Sequence, residues 1–310
     1  MCGSQLKNSA VEAGSAGCFL PDPDMIEYRF RLLNVFAEST FGGNPLCVFE
    51  DARGLASETM QALAAQFNLS ETTFLLPSTQ ADARVRVFTP AHEMRFAGHP
   101  TLGSAQVVRA LHNTGDRLTL EFAAGLVPVT AQGDIWQLTA PLSVGPQSRP
   151  VDASRVRLAH LIGLDEADLL ADPLWVDTGS DQLLIACRSV DAVQRAQPDP
   201  TFRDDWPLSS LQRRTCYVFA FDPTRAGTVV ARYFMRHANG SVSEDPGTGS
   251  ACANLGGWLI ASGYTLPARY QVLQGEAVHR PCHLLLDVSA DGEIRVGGRV
   301  IQIGCGSIQL

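Results

Sequence analysis

The segment Gly98-His99-Pro100-Thr101-Leu102-Gly103-Ser104-Ala105 aligns without a gap on Glu244-Asp245-Pro246-Gly247-Thr248-Gly249-Ser250-Ala251. No other feature of the chain restricts its fold so strongly. Pro, Gly, Ser and Ala coincide, and each copy follows a strand-like stretch (83–88 and 229–235) and opens an apolar helix (100–111 and 248–260). A unit used twice at matching places calls for two similar halves, and 310 residues is more than one core usually covers.

The remaining patterning fits that division. Alternating apolar residues predict a strand over 28–35, a turn at 42–45, a short strand at 46–49, a helix over 57–67 with Met60, Leu63, Ala64 and Phe67 on one face, and a strand at 72–76. The second half reads as strands at 175–177, 183–187, 216–221, 270–273, 283–288, 294–296 and 300–303, with Asp291-Gly292 as a hairpin turn. A Pro-, Ser- and Gly-bearing stretch over 141–150 places the boundary, giving halves of 26–142 and 143–310, with a last strand free to cross back. Residues 1–25, rich in small and polar residues without a patterned apolar face, are expected to form a disordered tail and not a signal peptide.

Composition removes whole classes of function. A net charge of −8 and a pI of about 5.3 argue against nucleic acid as a partner. No apolar run approaches the roughly 18 residues of a membrane span. The eight cysteines are scattered without a CxxC pair, which speaks for reduced thiols in a cytoplasmic protein and against a zinc ribbon or redox dithiol. His279, Cys282 and His283 sit at the start of a strand, where neighbours face opposite ways, so no metal is expected. The Gly247–Cys252 segment lacks the third glycine of a dinucleotide loop, and neither a phosphate loop nor a GxSxG elbow occurs. No cofactor is implied.

The repeated loops can carry chemistry. Proline in the first helical turn loses no hydrogen bond, and small residues behind it let a ligand approach the backbone. Open N–H groups and the helix dipole then form an anion site, and two such starts face to face could clamp a carboxylate or a developing enolate. Both helices also read as the buried centres of their halves, which is compatible with a start that opens on a cleft. In the gapless alignment His99 and Asp245 take matching places beside the helix starts, a titratable pair suited to proton transfer, although a lone loop histidine is more often structural. Glu71 opens an apolar strand. An acid there is either paired or functional, and burial would raise its pKa enough to let it both take and give a proton.

These residues resemble the phenazine-biosynthesis PhzF-like isomerase family, of diaminopimelate-epimerase-like fold. The matching blocks are Phe41-Gly42-Gly43-Asn44-Pro45, Ser70-Glu71-Thr72-Thr73-Phe74, Phe88-Thr89-Pro90, Phe96-Ala97-Gly98-His99-Pro100-Thr101 and Glu244 through Ala251, with a weaker block at Gln274-Gly275 and Arg280-Pro281. The resemblance implies an α+β fold of two pseudo-symmetric halves, each a curved mixed sheet around one central helix, with the site between them. It implies Glu71 as general acid/base, His99 and Asp245 as its catalytic partners, and Asn44, Ser70, Gly98, Gly249 and Ser250 as ligand contacts. A small carboxylate-bearing substrate, no cofactor and a homodimer follow from it too. Epimerases and racemases of this fold carry a cysteine at each helix start. Here Cys252 lies inside the second helix, where its thiol should be packed away. Met94-Arg95 stands where many members have Leu-Pro, and Arg95 either meets an acidic group or points to solvent. Two alternatives stay open: an epimerase, racemase or dehydratase of the same fold, and a ligand-binding member without turnover.

Overall fold

A computed structural model describes residues 25–140, 145–198, 206–237 and 239–310. The expected tail falls outside these residues apart from Met25, and so does the expected boundary between 142 and 143.

The first half runs β1 (Glu27–Val35), β2 (Asn44–Phe49), α1 (Ser57–Phe67), β3 (Glu71–Leu76), β4 (Ala83–Phe88), β5 (Glu93–Met94), α2 (Gly98–His112), β6 (Arg117–Phe122), β7 (Gly125–Gln132) and β8 (Ile135–Thr139). The second runs β9 (Gln147–Pro150), α3 (Arg155–Leu161), β10 (Leu174–Asp177), β11 (Asp181–Ala186), α4 (Val190–Arg195), β12 (Arg214–Phe221), β13 (Thr228–Arg236), β14 (Val242–Asp245), α5 (Gly249–Ala261), β15 (Ala268–Gln274), β16 (Cys282–Val288) and β17 (Ile294–Gln309). The hairpin expected at Asp291-Gly292 joins β16 to β17, with Gly292 at φ 87°.

Strand pairing repeats between the halves. β2 is parallel to β3, β3 antiparallel to β4, and β4 antiparallel to β5 and parallel to β6. The same orientations recur from β11 through β12 and β13 to β14 and β15. Side chains repeat as well. Arg86 lies 5.0 Å over Phe88 and pairs with Glu93, while Arg232 lies 4.7 Å over Phe234 and pairs with Glu244.

This ladder corrects the gapless alignment. Val87 faces Met94 and Tyr233 faces Asp245, and four residues further on each segment enters its helix, at Gly98 or Gly249. In structural register, then, Gly98 corresponds to Gly249, His99 to Ser250 and Met94 to Asp245. His99 is the second residue of its helix, whereas Asp245 ends the preceding strand. The gapless match aligned similar small residues from different turns of the two helices.

Each half wraps its sheet around a buried helix. Leu102, Ala105, Val107 and Val108 of α2 and Ala251, Cys252, Leu255 and Leu259 of α5 lie in one apolar cluster with the inner faces of the strands. Period-2 alternation sends Tyr217 and Phe219 inward to α5, and Cys216, Val218 and Ala220 outward to a second cluster under α3 and α4. Helix α1 covers the outer face of the first sheet, where Phe49 and Phe74 stack 4.8 Å apart.

In pairing the halves exchange strands: β9, although it opens the second half in sequence, follows β8 as the second part of β17 follows the first. Past β8 the chain enters β9, which pairs with β10 of the second half, and β17 pairs first with β16 and β8 and then, from Val300 onward, with β1. The two strands expected at 294–296 and 300–303 are therefore one. Gly297 and Gly298 look like breakers but let the strand pass close to Trp136 and Phe36, where a side chain would collide.

Candidate active site

The strand exchange brings the two helix starts together: a methyl group built on Gly98 would sit 3.7 Å from the Cα of Gly249. Neither Ala97 nor Thr248 caps its helix through a side chain. The first-turn N–H groups of α2 and α5 therefore lack intrahelical partners and point toward the same junction.

Glu71 is the first residue of β3 and shares the inward face with Thr73, which accepts a hydrogen bond from Ser104 of α2. That face aims the carboxyl at the start of α2. Its Oε2 lies 3.5 Å from Nε2 of His99, and both atoms are buried without another hydrogen-bond partner. Burial, with the charge of Asp245 adding to it, pushes Glu71 up to about 8, although the charge of Arg213 opposes the shift. Burial likewise holds His99 down at about 3, against a hydrogen bond to the Pro45 carbonyl. Only a protonated ring nitrogen can donate to a carbonyl. In the neutral ring this assigns the proton to Nδ1 and leaves the Nε2 lone pair facing Glu71. At neutral pH a protonated carboxyl therefore opposes a neutral imidazole.

Asp245 is held from several sides. Asn44 donates to its Oδ1 at 3.0 Å, Thr248 donates to its Oδ2 at 2.5 Å, and the Gly247 N–H adds a third bond. Burial raises its pKa while these donors oppose the rise. Asn44 is fully buried and spends its other N–H on the Gly247 carbonyl, while its oxygen accepts from Ser70. Asn44 thus links the glutamate-bearing strand to the aspartate loop across the cleft. Ser250, exposed at the start of α5, accepts from Gln182 at 2.9 Å and keeps its own hydroxyl proton to donate. The structure thus gathers Glu71, His99, Asp245, Asn44, Ser70, Gly98, Gly249 and Ser250 at one junction.

The repeat shows where the halves differ. Thr72 faces Phe88 and Cys216 faces Phe234, so the counterpart of Glu71 in the second half is Thr215. One half supplies an acid and the other a hydroxyl. Cys252 is fully buried in α5, and burial drives its thiol pKa far up, so it offers no thiolate. Arg95 is exposed, and no charge of its own is felt at Glu71 or Asp245.

Three positioning residues were not singled out by sequence reasoning. Gln274 donates to the Asp245 carbonyl and the Thr248 hydroxyl, and its oxygen accepts from the Thr248 N–H. Arg280 reaches the carbonyls of Gly42 and Gly43 and the Asn34 side chain, clamping the loop that carries Asn44. Both stand in the weaker block, which was the available signal. Gln182 joins Ser250 to the Tyr233 hydroxyl and carries no motif at all.

The comparisons with known proteins agree with this geometry. A family model described as PhzC-PhzF, phenazine biosynthesis-like protein, matches residues 33–304. An uncharacterized isomerase of Pasteurella multocida is 39% identical over 91% of this chain and 94% of its own. The trans-2,3-dihydro-3-hydroxyanthranilate isomerase of Pseudomonas aeruginosa is 32% identical over 86% of this chain and 92% of its own. The crystal structure of a Bacillus anthracis phenazine biosynthesis protein of the PhzF family superposes with a TM-score of 0.80 at 23% identity, covering 92% of this chain and 100% of that one. Two mirrored halves meeting at their helix starts are the diaminopimelate-epimerase-like fold. With a family model spanning most of its length and isomerases among its relatives, the chain belongs to the PhzF-like isomerase family.

Proposed function

We propose that the protein is a cofactor-independent isomerase that moves a proton within a small carboxylate-bearing substrate, with Glu71 as the proton carrier. The observation that carries this reading is the buried Glu71–His99 contact at 3.5 Å, made where the two helix starts meet. In its ionised form Glu71 takes a proton from a carbon next to an unsaturated system. The C–H electron pair enters that system, and the same carboxyl protonates another carbon of the ligand. One C–H bond breaks and one forms, so no external oxidant or reductant is needed. The neutral ring of His99 accepts a hydrogen bond from protonated Glu71 and steadies the proton between transfers. Asp245, fixed by Asn44 and Thr248, orients polar groups of the ligand. The open N–H groups of α2 and α5 face charge that develops on the ligand.

Racemisation by two opposed bases has less support, because Thr215 stands where a second Glu71 would be. The buried free cysteines fit a reducing cytoplasm. The resemblance further suggests a homodimer, which sedimentation would measure directly.

The test is hydrogen exchange in D₂O over a panel of small unsaturated carboxylic acids, starting with the trans-2,3-dihydro-3-hydroxyanthranilate on which relatives act. Deuterium should enter one carbon of the true substrate with the wild-type protein. Glu71→Gln should slow this by at least about 10²-fold, the lower end of general acid–base contributions. Exchange at an unchanged rate in Glu71→Gln would remove Glu71 from the chemistry.

A further inference from the structure

We infer that Arg213 is a substrate-binding residue, which holds the carboxylate of the ligand against the start of α5. The inference rests on the reading above that the substrate is a small acid. Residues 215, 217 and 219 of β12 face α5, so residue 213, just before the strand, continues that inward face toward the cleft mouth. Tyr233 faces Tyr217 across the ladder, and its hydroxyl receives hydrogen bonds from Thr215 and from Gln182, which also bonds Ser250. Arg213 lies one step beyond this group. Its charge is felt by both Glu71 and Tyr233.

The loop is anchored as a binding loop needs to be. The Arg213 N–H donates to the Ser209 hydroxyl at 3.1 Å, and the Ser209 N–H donates to the Arg213 carbonyl at 2.9 Å. Next to them Ser210 gives its N–H and its hydroxyl to the buried carboxylate of Asp181, which Arg149 also contacts. The guanidinium by contrast is exposed and has no hydrogen bond or ion pair among the described residues. A backbone held by two hydrogen bonds thus presents five unused donors next to the inward face that carries Thr215, beside a site whose histidine is neutral. A carboxylate bridging Arg213 and the Ser250 hydroxyl would be held at the start of α5, within the junction that Glu71 faces.

Titration with anthranilate and with aniline, followed by NMR, isolates the carboxylate. Anthranilate is the unreactive aromatic counterpart of the substrate named for the relatives, and aniline lacks only its carboxylate. The wild type should prefer anthranilate. Arg213→Met should weaken anthranilate roughly 10- to 100-fold, the loss expected for hydrogen bonds to a charged group, and leave aniline unchanged, while Arg213→Lys should recover part of the loss. Equal anthranilate affinity in wild type and Arg213→Met would overturn the assignment, as would a wild type that does not distinguish the two ligands. The glutamate mechanism is read separately, from the D₂O exchange rates of Glu71→Gln. A failure of the glutamate mechanism would therefore show in exchange rates and not in these titrations.

Discussion

Glu71 and His99 are two ionisable groups kept neutral by opposite shifts, and each shift ties stability to pH. Glu71 rises from 4.5 to about 8 on folding, so between those values the folded chain keeps a proton that the unfolded chain has released. Stability from this group is complete below 4.5 and lost as pH climbs through about 8. His99 falls from 6.5 to about 3, so its contribution is complete above 6.5 and lost as pH drops toward 3. Thermal unfolding should accordingly show Glu71→Gln gaining on the wild type between pH 5 and pH 9. His99→Asn should resist acid better than the wild type below pH 6, relative to their difference at pH 7. A Glu71→Gln difference that does not vary with pH would mean that the carboxyl titrates normally. Glu71 was legible because an acid at the head of an apolar strand conflicts with its surroundings. Arg213 was not, since nothing local marks a loop arginine as facing a cleft.

At the scale of elements, the repeated Arg-x-Phe and Glu pairings offer a controlled comparison. The same contact is buried in the second half, where Glu244 is 7% exposed, and open in the first, where Glu93 is 39% exposed. Glu244→Gln should cost about 3 kcal/mol, the lower end for a buried pair, because Arg232 loses its counter-ion but keeps the Gln194 and Ala196 carbonyls. Glu93→Gln should cost no more than about 1 kcal/mol, as for exposed pairs. Denaturant midpoints decide between this and equal costs, which would mean that burial does not separate the two copies. Helix α1 and strand β4 were readable to the residue because each has one apolar face. Strands β6, β7 and β8 were not read at all, and β9 forms inside the Pro-rich stretch taken as a boundary, because its pairing with β10 is a long-range contact that no local pattern announces. The register of the repeat was misread for a related reason. Small residues recur in both helices, and only the strand ladder shows which turn matches which.

Across the whole molecule, the two halves repeat one pattern of strand pairing and differ at the site. Exchange of β9 and β17 locks the halves so that α2 and α5 meet, and Arg280 and Asn44 tie loops of one half to the other. Within that symmetric frame the first half carries a strand-head carboxyl, Glu71, where the second carries Thr215. Infrared difference spectroscopy reads the Glu71 carboxyl without any substrate. The wild type should show a protonated-carboxyl C=O band at pH 6.5 that disappears with a midpoint near 8 and is missing from Glu71→Gln. A wild-type protein with no such band, or with one that titrates near 4.5, would contradict a Glu71 held neutral by burial.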